Sequence, residues 1–187
     1  SAVALDDDHF AINATTIGIA NSVTTTTAGT VTITNAGVLT IANAADMTLD
    51  GAFTVDGDGA VSTAGDITTT ADNILFDGVG AVTIEADDVS LNTGATTGDV
   101  RFDGDVTGAG LLTITADTGN IDFTSTIGAG GALSGLSIVS ADTVDLDSTV
   151  AIDDEHLDIN ATTIGIDNTV TTTTAGTVTI TNAGVLT

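Results

Sequence analysis

The chain contains 187 residues, among them 26 acidic residues and a single basic one, Arg101, which give a formal net charge of −25. Because it has no Cys, it can form no disulfide framework, Cys-zinc site or thiol nucleophile, and with one Arg and no Lys it lacks the clustered cations that bind nucleic-acid phosphates. No apolar run approaches the roughly 18–20 residues of a membrane span, so we expect no membrane insertion, and no basic start of a signal peptide is visible. The hydrophobic share of 42%, mostly small aliphatic residues, favours a chain that buries a core over a disordered one.

A long internal repeat spans the chain. Residues 1–40 recur at 148–187 with 33 identities in 40 positions, an offset of 147 residues. We therefore interpret 1–147 as one long tandem unit and 148–187 as the start of the next unit, joined to it without a linker. The repeat predicts a segment of a longer tandem array rather than a self-contained enzyme.

Short alternating segments recur within the long unit. Taken in chain order, they begin at residues 30, 52, 73, 99, 120, 143, 163 and 177. Nearly all read polar, apolar, any, apolar, polar, a pattern that turns two side chains inward and three outward on a strand. Most are followed by a second short strand, and Gly, Asp and Asn stand at the breaks, where tight turns need them. No window of helical period is present.

The spacing of about 21 residues predicts an all-β chain folded as a parallel β-helix, or β-solenoid, with six to seven coils in each long unit. Stacked coils share one continuous narrow core, which suits the shortage of aromatic residues. The last gap, 14 residues before Thr177, is too short for a coil and predicts either an irregular corner or a count wrong by one coil. The rival fold is a string of β-sandwich domains, but such domains usually hold a core Trp or Tyr, and the sequence has neither.

Two runs of the sequence resemble a known family. Residues 98–117 read GDVRFDGDVTGAGLLTITAD, and residues 119–138 read GNIDFTSTIGAGGALSGLSI. They resemble the β-strand repeats of giant bacterial surface proteins, the filamentous-haemagglutinin-like adhesins, and the likeness covers most of the chain. The resemblance implies a right-handed β-helix, export to the cell surface, and an extended adhesive or structural role. The secretion domain of that family is not among these residues, so the route of export stays open.

Aspartates at the ends of three segments form the first candidate site. Asp56, Asp77 and Asp103 each precede a glycine and occupy the same position in successive coils, so in register they would stack about 4.8 Å apart. Two unit charges at that distance repel by about 0.9 kcal/mol in water and about 3.5 kcal/mol at an effective dielectric of about 20. Calcium, which takes several carboxylate oxygens, is the cofactor predicted there, with Asp58 and Asp105 as further ligands. The alternative is that Asp-Gly is turn chemistry and that cations screen a solvated face diffusely.

An acidic segment with one histidine recurs once per long unit, as residues 6–9 and 153–156. In the second copy it consists of Asp153, Asp154, Glu155 and His156, and carboxylates with an imidazole can hold a divalent ion. A corner insertion with a solvent-facing histidine is the alternative that we favour, because no second histidine lies nearby in the sequence. No sequence motif of serine, thiol or zinc catalysis is present, so we predict that the chain is not an enzyme.

These features favour a structural function. We expect an extracellular or cell-surface protein that forms the acidic shaft of a filament, sheath or surface layer, and whose main partner is more of the same array. The alternative is the stalk of an adhesin that presents a region binding a cell-surface glycan or another cell. We expect no nucleic-acid partner, because an acidic surface repels phosphates.

Overall fold

The computed structural model describes residues 1–6, 8–153 and 155–187, and these residues form β-strands joined by short turns, without a helix. The strands of the first half are β1 (Val3–Asp6), β2 (Phe10–Ala14), β3 (Ile17–Ile19), β4 (Val23–Thr26), β5 (Val31–Asn35), β6 (Leu39–Ile41), β7 (Met47–Leu49), β8 (Phe53–Asp56), β9 (Val61–Thr63), β10 (Ile67–Thr69) and β11 (Ile74–Asp77). Those of the second half are β12 (Ala81–Ile84), β13 (Val89–Asn92), β14 (Val100–Phe102), β15 (Asp105–Gly108), β16 (Leu111–Thr115), β17 (Asn120–Phe123), β18 (Gly135–Leu146), β19 (Val150–Ile152), β20 (His156–Ile166), β21 (Val170–Thr172) and β22 (Thr177–Leu186).

The strands alternate between buried and exposed residues because successive side chains of a strand point to opposite faces. β3, β6 and β7, for example, bury their first and third residues and expose the middle one. Val, Ile, Leu and Phe fill most inward positions and Thr many outward ones, and β-branched and aromatic residues favour extended backbone. A period of two along the sequence is therefore what selects this fold.

The described strands pair in parallel throughout, and the chain winds as a solenoid of about nine turns, with successive coils roughly 21 residues apart. Each full turn contributes one strand to each of three faces. Face A contains β1, β4, β7, β10, β13 and β16, face B contains β2, β5, β8, β11, β14 and β17, and face C contains β3, β6, β9, β12 and β15. The long strands β18, β20 and β22 each turn a corner, with the first half on face A and the second half on face B. β19 and β21 continue face C.

The predicted all-β solenoid is confirmed, and the rival sandwich is wrong. A sandwich is built from antiparallel strands, whereas the pairs of the described strands are parallel and join each coil to the next. The second long unit stacks in the same way on the first, since Leu157 pairs with Leu136 and Ile159 with Ile138.

A single cluster of apolar side chains runs inside the solenoid and forms its core. In its middle stand four buried phenylalanines from successive coils, Phe53, Phe76, Phe102 and Phe123. The ring centroids of Phe76 and Phe102 lie 4.9 Å apart, as do those of Phe102 and Phe123, and both pairs of rings are nearly parallel. Phe53 meets Phe76 edge to face, with centroids 5.8 Å apart. Such aromatic pairs add about 0.5–1.5 kcal/mol each to the energy of burial.

The short gap before Thr177 has a geometric cause, and both explanations offered from the sequence are wrong. The segments that begin at residues 30 to 163 all lie on face B, whereas the segment at Thr177 starts β22 on face A. The chain passes from face B through face C to face A in two thirds of a turn. That distance fits 14 residues in a solenoid with roughly 21 residues per turn.

Candidate cation-binding surface

The three aspartates singled out by the sequence lie in one column on face B. Asp56 ends β8 and Asp77 ends β11, and the two are Cα partners. Asp103 follows β14 directly, and its Oδ2 accepts a hydrogen bond of 3.1 Å from the backbone N–H of Gly78. The structure thus brings these residues together at one corner of successive coils, in the register that their spacing suggests.

The glycines that follow these aspartates are required by the corner. A Cβ on Gly57 would lie 2.3 Å from the carbonyl oxygen of Asn35 in the preceding coil, and one on Gly104 would lie 2.5 Å from that of Val79. Gly78 has a φ of +68°, which strains residues that carry a side chain. The Asp-Gly pairs therefore serve as turn chemistry in addition to supplying charge.

Arg101, the one basic side chain of the sequence, lies beside this column. Its Nη2 is 2.7 Å from Asp103 Oδ1, its Nη1 is 3.8 Å from Asp77 Oδ1, and its Nε is 3.7 Å from Asp122 Oδ2. Because the Arg101 side chain is 45% exposed, water screens these ion pairs, and each contributes about 0–1 kcal/mol. One positive charge offsets one carboxylate, so the surface around it stays strongly negative.

Crowding of carboxyls changes the acidity of Asp77. Its carboxyl shares a hydrogen bond with that of Asp103, and this contact raises the pKa of Asp77 above its ordinary value. Desolvation and repulsion from Asp103 and Asp56 act in the same direction, while Arg101 opposes them. Because the Asp77 carboxyl is held beside other carboxylates, a proton or a bound cation would relieve the repulsion between them.

A second part of the acidic surface was missed by the sequence analysis. Asp122 on β17 and Asp145 on β18 are Cα partners that continue face B beyond Arg101. Desolvation is the main cause that raises the pKa of both carboxyls, and repulsion from Asp147 adds to it. The signal was present in the central position of the alternating segments, which holds Arg101, Asp122 and Asp145 in three successive coils.

The other two predicted calcium ligands differ in placement. Asp58 is exposed in the turn after β8 and borders the same shallow depression as Asp56. Asp105 begins β15 on face C, and its Oδ1 accepts hydrogen bonds from the Ser125 hydroxyl at 2.5 Å, the Thr126 hydroxyl at 2.6 Å and the Thr126 backbone N–H at 3.1 Å. The hydroxyl donors are the main cause that lowers the pKa of Asp105. This carboxylate therefore forms hydrogen bonds that link its own coil to the next coil.

The acid–histidine segment of the second unit is also tied to the next coil. Asp153 Oδ1 accepts hydrogen bonds from the hydroxyls of Thr173 and Thr174, the latter at 2.8 Å. Glu155 is exposed, and His156, the first residue of β20, is half-buried. Asp153 thus acts as a hydrogen-bond acceptor at a corner.

The first unit shows the same arrangement. Asp6 Oδ1 accepts hydrogen bonds from the hydroxyls of Thr26 at 2.6 Å and Thr27 at 3.2 Å, and these bonds lower the pKa of Asp6. His9 Nδ1 lies 2.7 Å from the Thr30 hydroxyl oxygen. Both copies of the segment therefore use hydroxyl partners from the following coil.

Among the residues that the structure describes, no group of three or more His, Cys, Asp or Glu side chains is arranged to hold a metal ion. The predicted ligand Asp154 and its counterpart Asp7 lie outside the described residues. Calcium at the face B column therefore stays a prediction.

Comparison of the chain with models of protein families, with curated proteins and with solved structures gave no match. The likeness to filamentous-haemagglutinin-like repeats therefore stays a prediction from the sequence. Within the described part of the chain, no helix has the length and apolarity needed to cross a membrane.

Proposed function

We propose that this chain is a structural repeat of an extracellular filament, sheath or surface layer, in which it acts as an extended acidic shaft. The observation that supports the proposal is the way in which the second long unit stacks on the first. Ile127 pairs with Val150 and Leu133 with Ile152 across the boundary between the units. The solenoid thus continues from one unit into the next with the same parallel pairing.

Backbone pairing along three faces gives such a shaft its cohesion. Each interior coil is hydrogen-bonded in parallel to the coil before it and the coil after it. Since no coil buries its apolar residues alone, the stability of a solenoid rises with the number of stacked coils. A tandem array of these units would form one rod instead of a chain of separate domains.

The acidic exterior supports the same function. A net charge of −25 on 187 residues makes parallel shafts repel one another, and this repulsion opposes sideways association through bare strand edges. Divalent cations weaken the repulsion, and we propose calcium as the ion collected by the column of Asp56, Asp77 and Asp103, because calcium takes several carboxylate oxygens at once.

Small-angle scattering of chains containing one, two and three consecutive 147-residue units tests the shaft. Stacked units lengthen the particle by about 32 Å per added unit at constant cross-section, the rise of nearly seven coils at about 4.8 Å each. A compact particle whose cross-section grows with chain length would contradict the proposal. The matched control is a two-unit chain with a Gly-Ser linker inserted at the boundary, whose scattering should show two independent bodies.

Thermal unfolding followed by far-UV circular dichroism, first with calcium and then with excess chelator, tests the ion. If the column binds calcium, the chelator lowers the Tm, and Asp77→Asn, which removes the central charge, abolishes that difference. Asp105→Asn is the matched control, because the Asp105 carboxylate already accepts hydrogen bonds from Ser125 and Thr126. An equal Tm with calcium and with chelator would overturn the calcium site and leave the proposal of a shaft unaffected.

The stalk of an adhesin is the second candidate function, and the resemblance of residues 98–138 to adhesin repeats is the observation that favours it. A stalk needs a separate region that binds a cell-surface glycan or another cell. Binding of the isolated 187-residue chain to cells or to a glycan array discriminates the two functions. A shaft should bind neither the cells nor the glycan array. Saturable binding would show that the solenoid itself is adhesive.

A further inference from the structure

Equivalent segments of the two long units lie on different faces of the solenoid. β5 belongs to face B, but the identical residues 178–182 belong to the first half of β22 on face A. β4 lies on face A, and its counterpart β21 lies on face C. β3 lies on face C, and its counterpart is the second half of β20 on face B. Every one of these segments is displaced by one face in the same direction.

One set of local contacts recurs in the displaced segments. In the first unit, Asp6 stands at the corner between faces A and B and accepts hydrogen bonds from the hydroxyls of Thr26 and Thr27. In the second unit, Asp153 stands at the corner between faces C and A and accepts hydrogen bonds from the equivalent hydroxyls. These two donors are Thr173 and Thr174. One sequence therefore builds the same corner on two different edges of the solenoid.

A glycine corner behaves in the same way. A Cβ on Gly37, between faces B and C, would lie 2.7 Å from the carbonyl oxygen of Thr15 and 3.4 Å from its Cγ2. A Cβ on Gly184, between faces A and B, would meet Thr162 at the same two distances. The corners of this solenoid are thus interchangeable for the repeat.

We infer that the 147-residue unit comprises six and two-thirds turns, so that each unit is rotated by one third of a turn relative to the unit before it. Between β2 and its counterpart, the first half of β20, the chain advances by twenty strand positions at three per turn. One unit then rises about 32 Å along the shaft, at about 4.8 Å per turn. A segment returns to its original face after three units, about 96 Å further along.

This rotation gives the shaft the same exposed surface on all three sides. The acid–histidine corner, which occurs once per unit, emerges on each of the three edges in turn. A unit of whole turns would instead place every copy on one edge and leave the other two without it. The extension from two units to an array rests on the proposed function, and the resulting surface fits neighbouring shafts on three sides rather than a single flat support.

Distances between pairs of spin labels test the rotation within the 187-residue chain. The sequence has no Cys, so exposed threonines replaced by Cys carry the labels without interference. The pair Thr48→Cys with Thr179→Cys lies on face A, six turns apart, at about 30 Å. The pair Thr32→Cys with Thr179→Cys joins equivalent positions of the two units on faces B and A. Its separation combines the rise of one unit with the width of the shaft and is about 40 Å.

We expect Thr32 and Thr179, the pair of equivalent positions, to be further apart than Thr48 and Thr179, the pair on face A. The reverse order would overturn it, because a unit of seven whole turns places Thr32 and Thr179 on one face and Thr48 and Thr179 on different faces. Distances are compared between labelled chains whose circular dichroism matches that of the unlabelled chain, and Thr24, on face A and seven turns from Thr179, replaces Thr48 where that label disturbs folding. The spin-label distances are measured within one chain. A result against the rotation can therefore be told apart from a scattering result against the shaft.

Discussion

Residues 30–40 and 177–187 have the same eleven-residue sequence and opposite surroundings. In the first copy, Val31, Ile33 and Leu39 are 0% exposed. In the second copy, Val178 is 48% exposed and Leu186 is 52% exposed. Both copies pair with the coil before them, through β2 and β20 respectively. The first copy is also covered by the coil after it, which contains β8 and β9.

The difference shows that burial in this solenoid is supplied by the neighbouring coils on both sides, since Phe10 and Ile12, which among the described strands pair with a following one only, are also just partly buried. The alternating pattern decides which side chains face inward, but the pattern alone removes none of them from water. An inward isoleucine becomes core when another coil stacks on it, as expected for proteins whose stability is a sum over neighbouring repeats. Within these 187 residues, the same sequence is therefore core at 30–40 and surface at 177–187.

Truncating the same isoleucine in both copies gives the largest expected contrast. Ile33→Ala removes a fully buried side chain and should lower the free energy of unfolding by about 2–5 kcal/mol. Ile180→Ala changes a half-buried side chain in β22 and should cost about 1 kcal/mol or less, because less apolar surface leaves a packed site. Urea unfolding of the two variants measures both values. Equal losses would contradict the role given to the covering coil.

Stacking a further coil on β22 should remove that contrast. When a second copy of residues 41–63 is joined after Thr187, its strands can cover β22 as β8 and β9 cover β5 and β6. Ile180→Ala in the lengthened chain should then cost about 2 kcal/mol or more, within the range of buried isoleucines. A lengthened chain that carries Asp in place of Phe53 and Val55 of the added copy is the control, and there the cost should stay low.

The two copies of one asparagine offer a smaller contrast. Asn35 Nδ2 donates hydrogen bonds to the carbonyl oxygen of Gly37 at 2.8 Å and to that of Ala60, in the following coil, at 3.1 Å. Asn35→Ala should therefore destabilise the chain by about 1 kcal/mol. In the 187-residue chain, Asn182→Ala should cost less, because β20 is the one described strand that pairs with β22. Thermal unfolding of the pair measures the difference, and a larger loss for Asn182→Ala would speak against it.

Acidification should change the stability of the middle coils more than that of residues 177–187. The raised pKa values of Asp77, Asp122 and Asp145 mean that their ionisation costs stability, so this cost disappears as the pH falls from 7 towards about 4, near the ordinary pKa of Asp. The lowered pKa values of Asp6 and Asp105 act in the opposite direction, and their stabilisation is lost below about pH 4.

We therefore expect the Tm to rise between pH 7 and about pH 4 and to fall below it. Residues 177–187 contain no ionisable side chain, so amide hydrogen exchange in β22, corrected for its intrinsic pH dependence, should respond less than exchange in β14. A Tm that falls steadily from pH 7 would contradict the raised pKa values.

The sequence predicted the solenoid and its coil length because alternation and repeat spacing are local properties. It also predicted the register of Asp56 and Asp77, since both end segments that start 21 residues apart. It did not predict the rotation of the unit, because a period of about 21 residues does not reveal which of three faces a strand occupies. Three-dimensional pairing was needed to show that Thr177 begins a strand on face A.

The candidate site was predicted in part for a similar reason. Asp122 and Asp145 were not predicted because neither precedes a glycine at a corner, and both occupy the central position of a strand segment instead. Asp105 was grouped with the column because it follows Asp103 closely in sequence. The corner at Gly104 turns it onto face C, where Ser125 and Thr126 occupy its carboxylate. Residues close in sequence lie on different faces when a corner stands between them, whereas residues about 21 apart lie side by side in successive coils.

The stack of four phenylalanines gives the shaft an uneven resistance to tension. Phe53, Phe76, Phe102 and Phe123 fill the middle coils, whereas the fully buried apolar side chains of the coils on either side are aliphatic apart from Met47, and Phe10 is only partly buried. Under a pulling force, a tandem array would yield first where the core is aliphatic and hold longer where the rings stack. Each unit that gives way would release about 500 Å of extended chain. The aromatic stacks would thus divide the lengthening of an array into separate steps, in which the aliphatic coils give way before the coils that hold the rings.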